Sequence, residues 1–346
     1  MSEKPPAPKY GLIFEAIPAD GKALITVEDN GQPLIVWPNR LALPPKMKSM
    51  IESRALRFVF PPKKPGSISK VAWIINVCAD ADEYEGALKS LSSFSKGVPV
   101  FNHPDGVLRT RRDRMAKGLE GVDGLDVPKC VRFTPQKLSD FKKTFAQEGF
   151  EYPVLVRPER SQTGKEVAKI DSVDDWQTFE GTYWKGRSFY MTQFVDFSEP
   201  SSSGEPEYFK LRLEVIGDMF TVCHALTSSK WMVHYAAPER TSTPAQEWDH
   251  VQKFSENETI KKIVLRTLQY TGLDYIGIDL GYIPSRGTFV FFEATPAMSV
   301  LNQPKPQDGK MEPDFVKYRQ AAEHVLQNLL LDPNKWRAVR ARAAAR

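Results

Sequence analysis

Long apolar runs are missing from this chain. None approaches the ~20 consecutive apolar residues of a membrane span, so a helical membrane protein is not expected. Residues 1–9 also lack the apolar core of a signal peptide. Cysteine is scarce: Cys78, Cys130 and Cys223 are the three present, far apart and without metal-like spacing. Each falls in an apolar segment, which points to buried reduced thiols and a cytoplasmic location. No charge of one sign dominates, the net being +4. The one concentrated basic tract, from Trp336 to Arg342, reads as the end of a helix. It has no interleaved aromatics for stacking on bases, so nucleic acid is not an expected partner. No repeat of solenoid length is visible.

What is present is an alternation of strand and helix patterns. Residues 1–9 are polar and Pro-rich and read as a disordered tail. Residues 10–69 form a β-rich N-terminal region. Its strands lie at 12–16, 23–27, 33–36 and 57–60, with turn pairs such as Asp20-Gly21 and Asn30-Gly31, a helix over 45–56 and a linker at 61–69. From residue 70 the pattern becomes strand, helix, strand: 71–77 is an apolar run suited to a buried parallel strand, 81–96 has helical spacing, and 98–101 is the next strand. A helix over 109–119, a strand over 127–133, a helix over 134–149 and a strand over 152–156 follow. A helix over 314–331 closes the pattern. The class is α/β with mixed sheets, in three successive lobes.

The chemistry concentrates in the second half. Two strand patterns, 275–283 and 288–292, flank the turn Pro284-Ser285-Arg286-Gly287. Folding about it sets Asp279 opposite Phe292 or Glu293, according to whether the loop has two residues or three. The second register puts both carboxylates on one face, within reach of one hard cation. Both acids interrupt apolar runs, where a charge is costly unless paired or bound to metal. Upstream, the strand Tyr152-Pro153-Val154-Leu155-Val156 ends in Arg157, and a small polar loop, Ser161 to Val167 with Gly164 and Lys165, follows it. Its amides suit phosphate oxygens. Arg111, Arg112 and Arg114 open an earlier helix. In Tyr208–Val215, alternation gives Lys210, Arg212 and Glu214 one strand face. His224 and His234, the latter near Lys230, lie on strand-like segments, and His224 reads as structural.

The order and spacing of these elements resemble the ATP-grasp superfamily, in particular the glutathione synthetase-like carboxylate–amine ligases. The match runs from about residue 71 to residue 301. The resemblance implies an ATP-grasp fold of two α/β lobes, 134–195 and 196–335. A βαβ pre-ATP-grasp domain at 70–133 and the β-rich region 10–69 would precede them, and 336–346 would be a basic tail. It implies ATP and magnesium (Mg2+) as cofactors, with Asp279, Glu293 and Thr295 as metal ligands, Thr295 standing where an Asn is usual. Arg114 and Arg157 would replace two phosphate-binding lysines, aided by Lys165. Phe194 and Val195 would meet adenine through their backbone, with Gln193 or Asp196 as polar neighbours. Arg212 would hold the transferred phosphoryl group, with Lys210 and His234 beside it. The implied activity is ATP-dependent joining of a small-molecule or peptide carboxylate to an amine or thiol through an acyl phosphate. Two rivals remain: a nucleotide-binding regulatory module that has lost catalysis, and a non-enzymatic interaction protein working through 10–60 and the basic tail. Donor, acceptor and oligomeric state are not legible.

Overall fold

A computed structural model describes residues 10–27, 33–41, 43–61, 70–161, 164, 166–179, 186–234, 238–298 and 313–337. The 1–9 tail, nearly all of the 61–69 linker, Lys165 and the basic tract beyond Arg337 lie outside them. Among the described residues no helix is long and apolar enough to cross a membrane.

The first part of the chain runs β1 (Tyr10–Ala16), the hairpin β2 (Leu24–Val27) and β3 (Pro33–Val36), α1 (Pro45–Glu52), β4 (Ala55–Phe60), β5 (Val71–Asn76), α2 (Glu85–Phe94), β6 (Val100–Phe101), α3 (Pro104–Arg109) and α4 (Arg112–Leu119). Strands β4-β1-β5-β6 make one parallel sheet. Parallel strands are covered on both faces, which is why β1 and β5 read as unbroken apolar runs. Leu12, Phe14 and Ile74 pack on Ala87, Leu88 and Leu91 of α2, while Ile13 and Ile75 share a core with Met47 and Ile51 of α1. The sheet takes strands from both sides of residue 70, so the boundary drawn at 69/70 falls within it.

Next come β7 (Leu125–Asp126), β8 (Cys130–Phe133), α5 (Ser139–Gln147), β9 (Val154–Pro158), β10 (Ala168–Ile170) and β11 (Phe189–Gln193). A second, antiparallel sheet has the order β10-β9-β11-β8. It keeps its own core, in which Phe141, Val154, Val156, Trp176, Phe189 and Met191 meet.

The third sheet is built from β12 (Ser198–Pro200), β13 (Pro206–Ile216), β14 (Met219–Ser228), β15 (Tyr275–Ile283) and β16 (Thr288–Thr295), in the order β12-β13-β15-β16-β7 with β14 also on β13. Helices α6 (Pro244–Ser255) and α7 (Glu258–Thr271) lie between β14 and β15, and α8 (Pro313–Leu331) follows β16. Capping sets the limits of α6 and α7: Thr243 and Gln246 form a capping box, Asn257 accepts from Ile260 N, and Gly272 ends α7 in the left-handed region at φ 67°. Instead of the strand read around Lys230 and His234, residues 229–234 form turns and irregular backbone.

First and third sheets share one hydrophobic core, running from Phe14 and Leu88 to Leu213 and Ile278. A buried polar joint adds to it. Asn102 N donates to Asp274 Oδ2 at 3.0 Å, Asn102 Nδ2 donates to Tyr275 O at 3.0 Å, and Asn102 Oδ1 accepts from the backbone N–H groups of Asp274 and Tyr275, both at 2.9 Å. Asp274 also accepts from Arg337 N at 2.7 Å, and Trp336 is fully buried beside Trp73 and Phe101. Residues 336 and 337 therefore belong to the packed body, not to a tail.

The β15–β16 hairpin decides how the two acids meet. From Ile283↔Thr288 to Leu280↔Phe291 the pairing is unbroken, and continued it would set Phe292 against Asp279. A bulge intervenes, and Asp279 pairs with Glu293. The loop is not the cause; the extra residue, Phe292, is. Its ring has room because it reaches over Gly281: a Cβ there would lie 2.6 Å from Phe292 and 3.1 Å from Phe197. Gly281→Ala should therefore cost about 1–3 kcal/mol by overpacking. Urea unfolding measures this; an unchanged midpoint would show that the ring yields freely.

Candidate active site

Asp279 is 2 % exposed, and a carboxylate so buried has to be compensated. Arg212, its register partner on β13, grips it through Nε–Oδ1 at 2.7 Å and Nη2–Oδ2 at 2.8 Å. Lys210 Nζ reaches Oδ2 at 2.7 Å from the same strand face. Burial opposes ionisation of Asp279, but Arg212 and then Lys210 outweigh it and hold the carboxyl well below the usual carboxylate range. Glu293 pairs through Oε2 with Arg112, at the head of α4. Burial again opposes, Arg112 prevails, and Glu293 is also held ionised.

Both acids line a cavity of about 430 Å³, within the range of small-molecule sites. Arg112, Arg157, Lys210 and Arg212 line it too, so its charged lining is net positive. Arg157, on β9 facing Tyr190 of β11, has no carboxylate within ion-pair distance among the described residues. It donates from Nε to Ser161 Oγ at 3.0 Å, and from Nη2 to Ser161 O. Burial, followed by Arg112, lowers its pKa to about 10. The end of the cavity towards β9 and β11 is apolar and aromatic: Leu155, Phe194, Trp231 and Met232 line it, with Phe194 and Trp231 edge to face at 5.8 Å.

Of the residues singled out in the sequence, Arg157, Phe194, Val195, Lys210, Arg212, His234, Asp279, Glu293 and Thr295 all line this cavity. Gln193 lines it as well, but its side chain is spent on Glu151 and Pro153 backbone. Two expectations need correction. Arg114 is not at the cavity; it donates to Leu108 O at 2.9 Å, and Arg112 supplies the cation. Asp196 lies outside the lining and caps Ser198 N at 3.0 Å. Lys165 lies outside the described residues. The sequence reading missed Arg112, Trp231 and Met232. His224, backing Arg212 across β14, is buried and kept neutral by burial and then by Arg212. His234 is depressed by burial, then by Lys210 and Arg212, and is neutral at ordinary pH.

Asp279 and Glu293 suit a divalent ion in chemistry, since magnesium is held by one or two carboxylates while waters or phosphate oxygens complete its shell. Glu293 has an oxygen with no side-chain partner among the described residues, whereas both oxygens of Asp279 are engaged. Thr295 Oγ1 accepts from Ala297 N at 3.2 Å. No group of three or more His, Cys, Asp or Glu converges among the described residues, so the protein offers an open pair and not a closed cage.

No family model matches the chain, and no curated protein does. Solved structures do. D-alanine–D-alanine ligase from Bacillus anthracis, in complex with ATP, is 11% identical, with a TM-score of 0.53 over 99% of this chain and 100% of that one. A second structure of that ligase gives 0.52 over 98% and 100%, again at 11% identity. The chain adopts the ATP-grasp fold. A RimK-domain ATP-grasp protein from Sphaerobacter thermophilus is also similar, at 14% identity and a TM-score of 0.49, over 93% of this chain and 100% of that one. The cavity lies between the second and third sheets of this fold.

Two outcomes are expected. Arg157 is charged against the preference of its surroundings, so its cost to folding is present below pH about 10 and relieved as pH rises towards the unfolded value. Arg157→Met should leave thermal stability unchanged or raised, yet weaken binding of a nucleotide triphosphate about ten-fold or more, which calorimetry checks. Asp279 has the opposite sign. Its stabilisation is complete above the unfolded value of about 4 and is lost as pH falls through the lower folded value. Stability of Asp279→Asn should depend less on pH across that acid limb in chemical denaturation.

Proposed function

We propose that this ATP-grasp chain is an ATP-dependent ligase that joins a carboxylate to an amine or thiol, using ATP and magnesium. The reading is carried by one observation: an ionised carboxylate pair opposed across β15 and β16, ringed by Arg112, Arg157, Lys210 and Arg212 at one end of a cavity whose other end is aromatic. Phe194, Val195, Trp231 and Met232 would take the base, and Arg157 and Arg112 the polyphosphate charge. Magnesium, when bound at Asp279, Glu293 and Thr295, would neutralise phosphate charge and orient the oxygens.

The chain's own residues account for the rest. A substrate carboxylate oxygen bonds to the γ-phosphorus while the bond to ADP breaks. Arg212 is held in one orientation by its two-point grip on Asp279, so it meets the developing charge without reorganising. The nucleophile then adds to the acyl carbon and phosphate leaves. Its proton needs an acceptor; neutral His234, on the cavity wall beside Lys210, suits that part. Full engagement of Asp279 by Arg212 and Lys210, with Thr295 as a short third ligand, favours a second reading, a nucleotide-binding regulator without turnover.

Substrate-dependent ADP release separates the two. An Arg212→Lys variant keeps a charge beside Asp279 but loses the fork, and should bind magnesium-ATP nearly as wild type while turnover falls at least about ten-fold. Equal turnover in both proteins would remove Arg212 from the reaction. ATP binding with no ADP release from wild type, whatever carboxylate and amine mixture is supplied, would favour the regulator.

A further inference from the structure

A second cavity, of about 390 Å³, lies between α1 and the first sheet, and it shares Asn39 and Ala297 with the first. Ala297 stands two residues beyond Thr295, so the two cavities are neighbours with Asn39 and Ala297 between them. We propose that this second cavity is the recognition pocket for the ligase's substrate, and that it takes a molecule with an apolar body and a free carboxylate. Its part in the reaction rests on the ligase reading; the binding does not.

The cavity is built, not a gap left by loose packing. Its roof is the segment from Trp37 to Leu41. Leu41 N donates to Val77 O at 2.9 Å, Arg40 bridges to Cys78, and the Tyr84 hydroxyl donates to Pro38 O. Asn39 is held at φ 51°, a conformation uncommon for a residue with a side chain and maintained only where the surroundings fix it. Ile13, Ile75 and Val77 give an apolar floor and Ile51 of α1 an apolar side. That surface takes the body of the ligand.

The polar lining is lopsided. Its buried acid is fully engaged: Glu15, 3 % exposed, accepts from Arg57 at 2.7 and 3.0 Å and from Arg40 at 3.5 Å, while the more exposed Glu52 has Arg57 at 4.0 Å. Of its donors, Arg40 is spent on Glu15 and the others are open. Among the described residues, the Lys48 ammonium, the Trp37 indole N–H and the Asn39 amide have no partner. An ammonium and an indole N–H can only donate. A ligand that completes this wall must bring acceptor oxygens, and a carboxylate bonded to an ammonium makes the strongest such contact. With its carboxylate at Lys48, the ligand's remaining length is directed past Asn39 and Ala297 towards Lys210 and His234.

N-acetyl-L-leucine and its neutral amide, N-acetyl-L-leucinamide, form a matched pair of probes. Calorimetry on the full chain should show the acid binding and the amide binding at least about ten-fold more weakly. Lys48→Ala, at a partly exposed position on α1, should weaken the acid by a similar factor and leave magnesium-ATP affinity unchanged. Equal binding of acid and amide, equal binding of the acid to both proteins, or no heat with the acid at millimolar concentration would each overturn the pocket. The two readings fail separately. Acid binding by a protein that does not bind ATP removes the ligase and keeps the pocket, whereas ATP binding without acid binding does the reverse.

Discussion

The charge on Asp279 is the constraint around which the site is organised. A carboxylate carried to the middle of a sheet cannot be solvated, and its partners must come from adjoining strands. Arg212 arrives by direct register across β13 and β15, and Lys210 from two residues earlier on the same face. The pair fixes the guanidinium in the plane of the carboxylate, and so determines what faces the cavity. Removing either partner alone would leave a buried charge, an effect on the order of 3–5 kcal/mol, so the interaction confers rigidity of the site more than net stability.

Glu293 is ordered by a subtler means. The turn of the hairpin sets one register and the Phe292 bulge replaces it with another within the last few pairs. Phe292 packs on Phe197, whose ring lies 5.0 Å away, and the absent side chain of Gly281 gives both rings their space. An aromatic contact on the far side of Leu280 thus aligns two acids. Arg112 then has its carboxylate partner, and Arg157, which also lines the cavity, has none among the described residues.

Much of this was legible in the sequence because strands repeat every two residues. Alternation in β13 gave Lys210 and Arg212, and apolar runs cut by single acids gave Asp279 and Glu293. A strand ending in a cation gave Arg157. Legibility failed where a local break shifts the phase. The resemblance to the superfamily put Arg114 forward on a helix read as continuous over 109–119, but the helix is interrupted at Thr110 and Arg111 and restarts at Arg112, and it is Arg112 that lines the cavity. Trp231 and Met232 occupy irregular backbone, where no period applies. The sharing of one sheet across residue 70 was not legible for another reason: β1, which pairs with β4, also pairs with β5 beyond the linker, and nothing local to the chain reports a pairing of that span.

The Asn102 joint has a mechanical consequence. It fastens the backbone after β6 to the backbone entering β15, inside a core already common to both sheets. The wall bearing Asp279 and the floor of the second cavity are therefore parts of one rigid frame. The second sheet, with a core of its own, meets that frame through a small buried cluster of Ala116, Cys130 and Tyr190 and through polar contacts such as the Tyr190 hydroxyl on Asp82 at 2.6 Å. Arg157 and Phe194 belong with the second sheet, outside that frame, whereas Arg212 stands within it. The distance from Asp279 to the floor of the second cavity is set within one packed frame, and the distance from Arg157 to Arg212 is not.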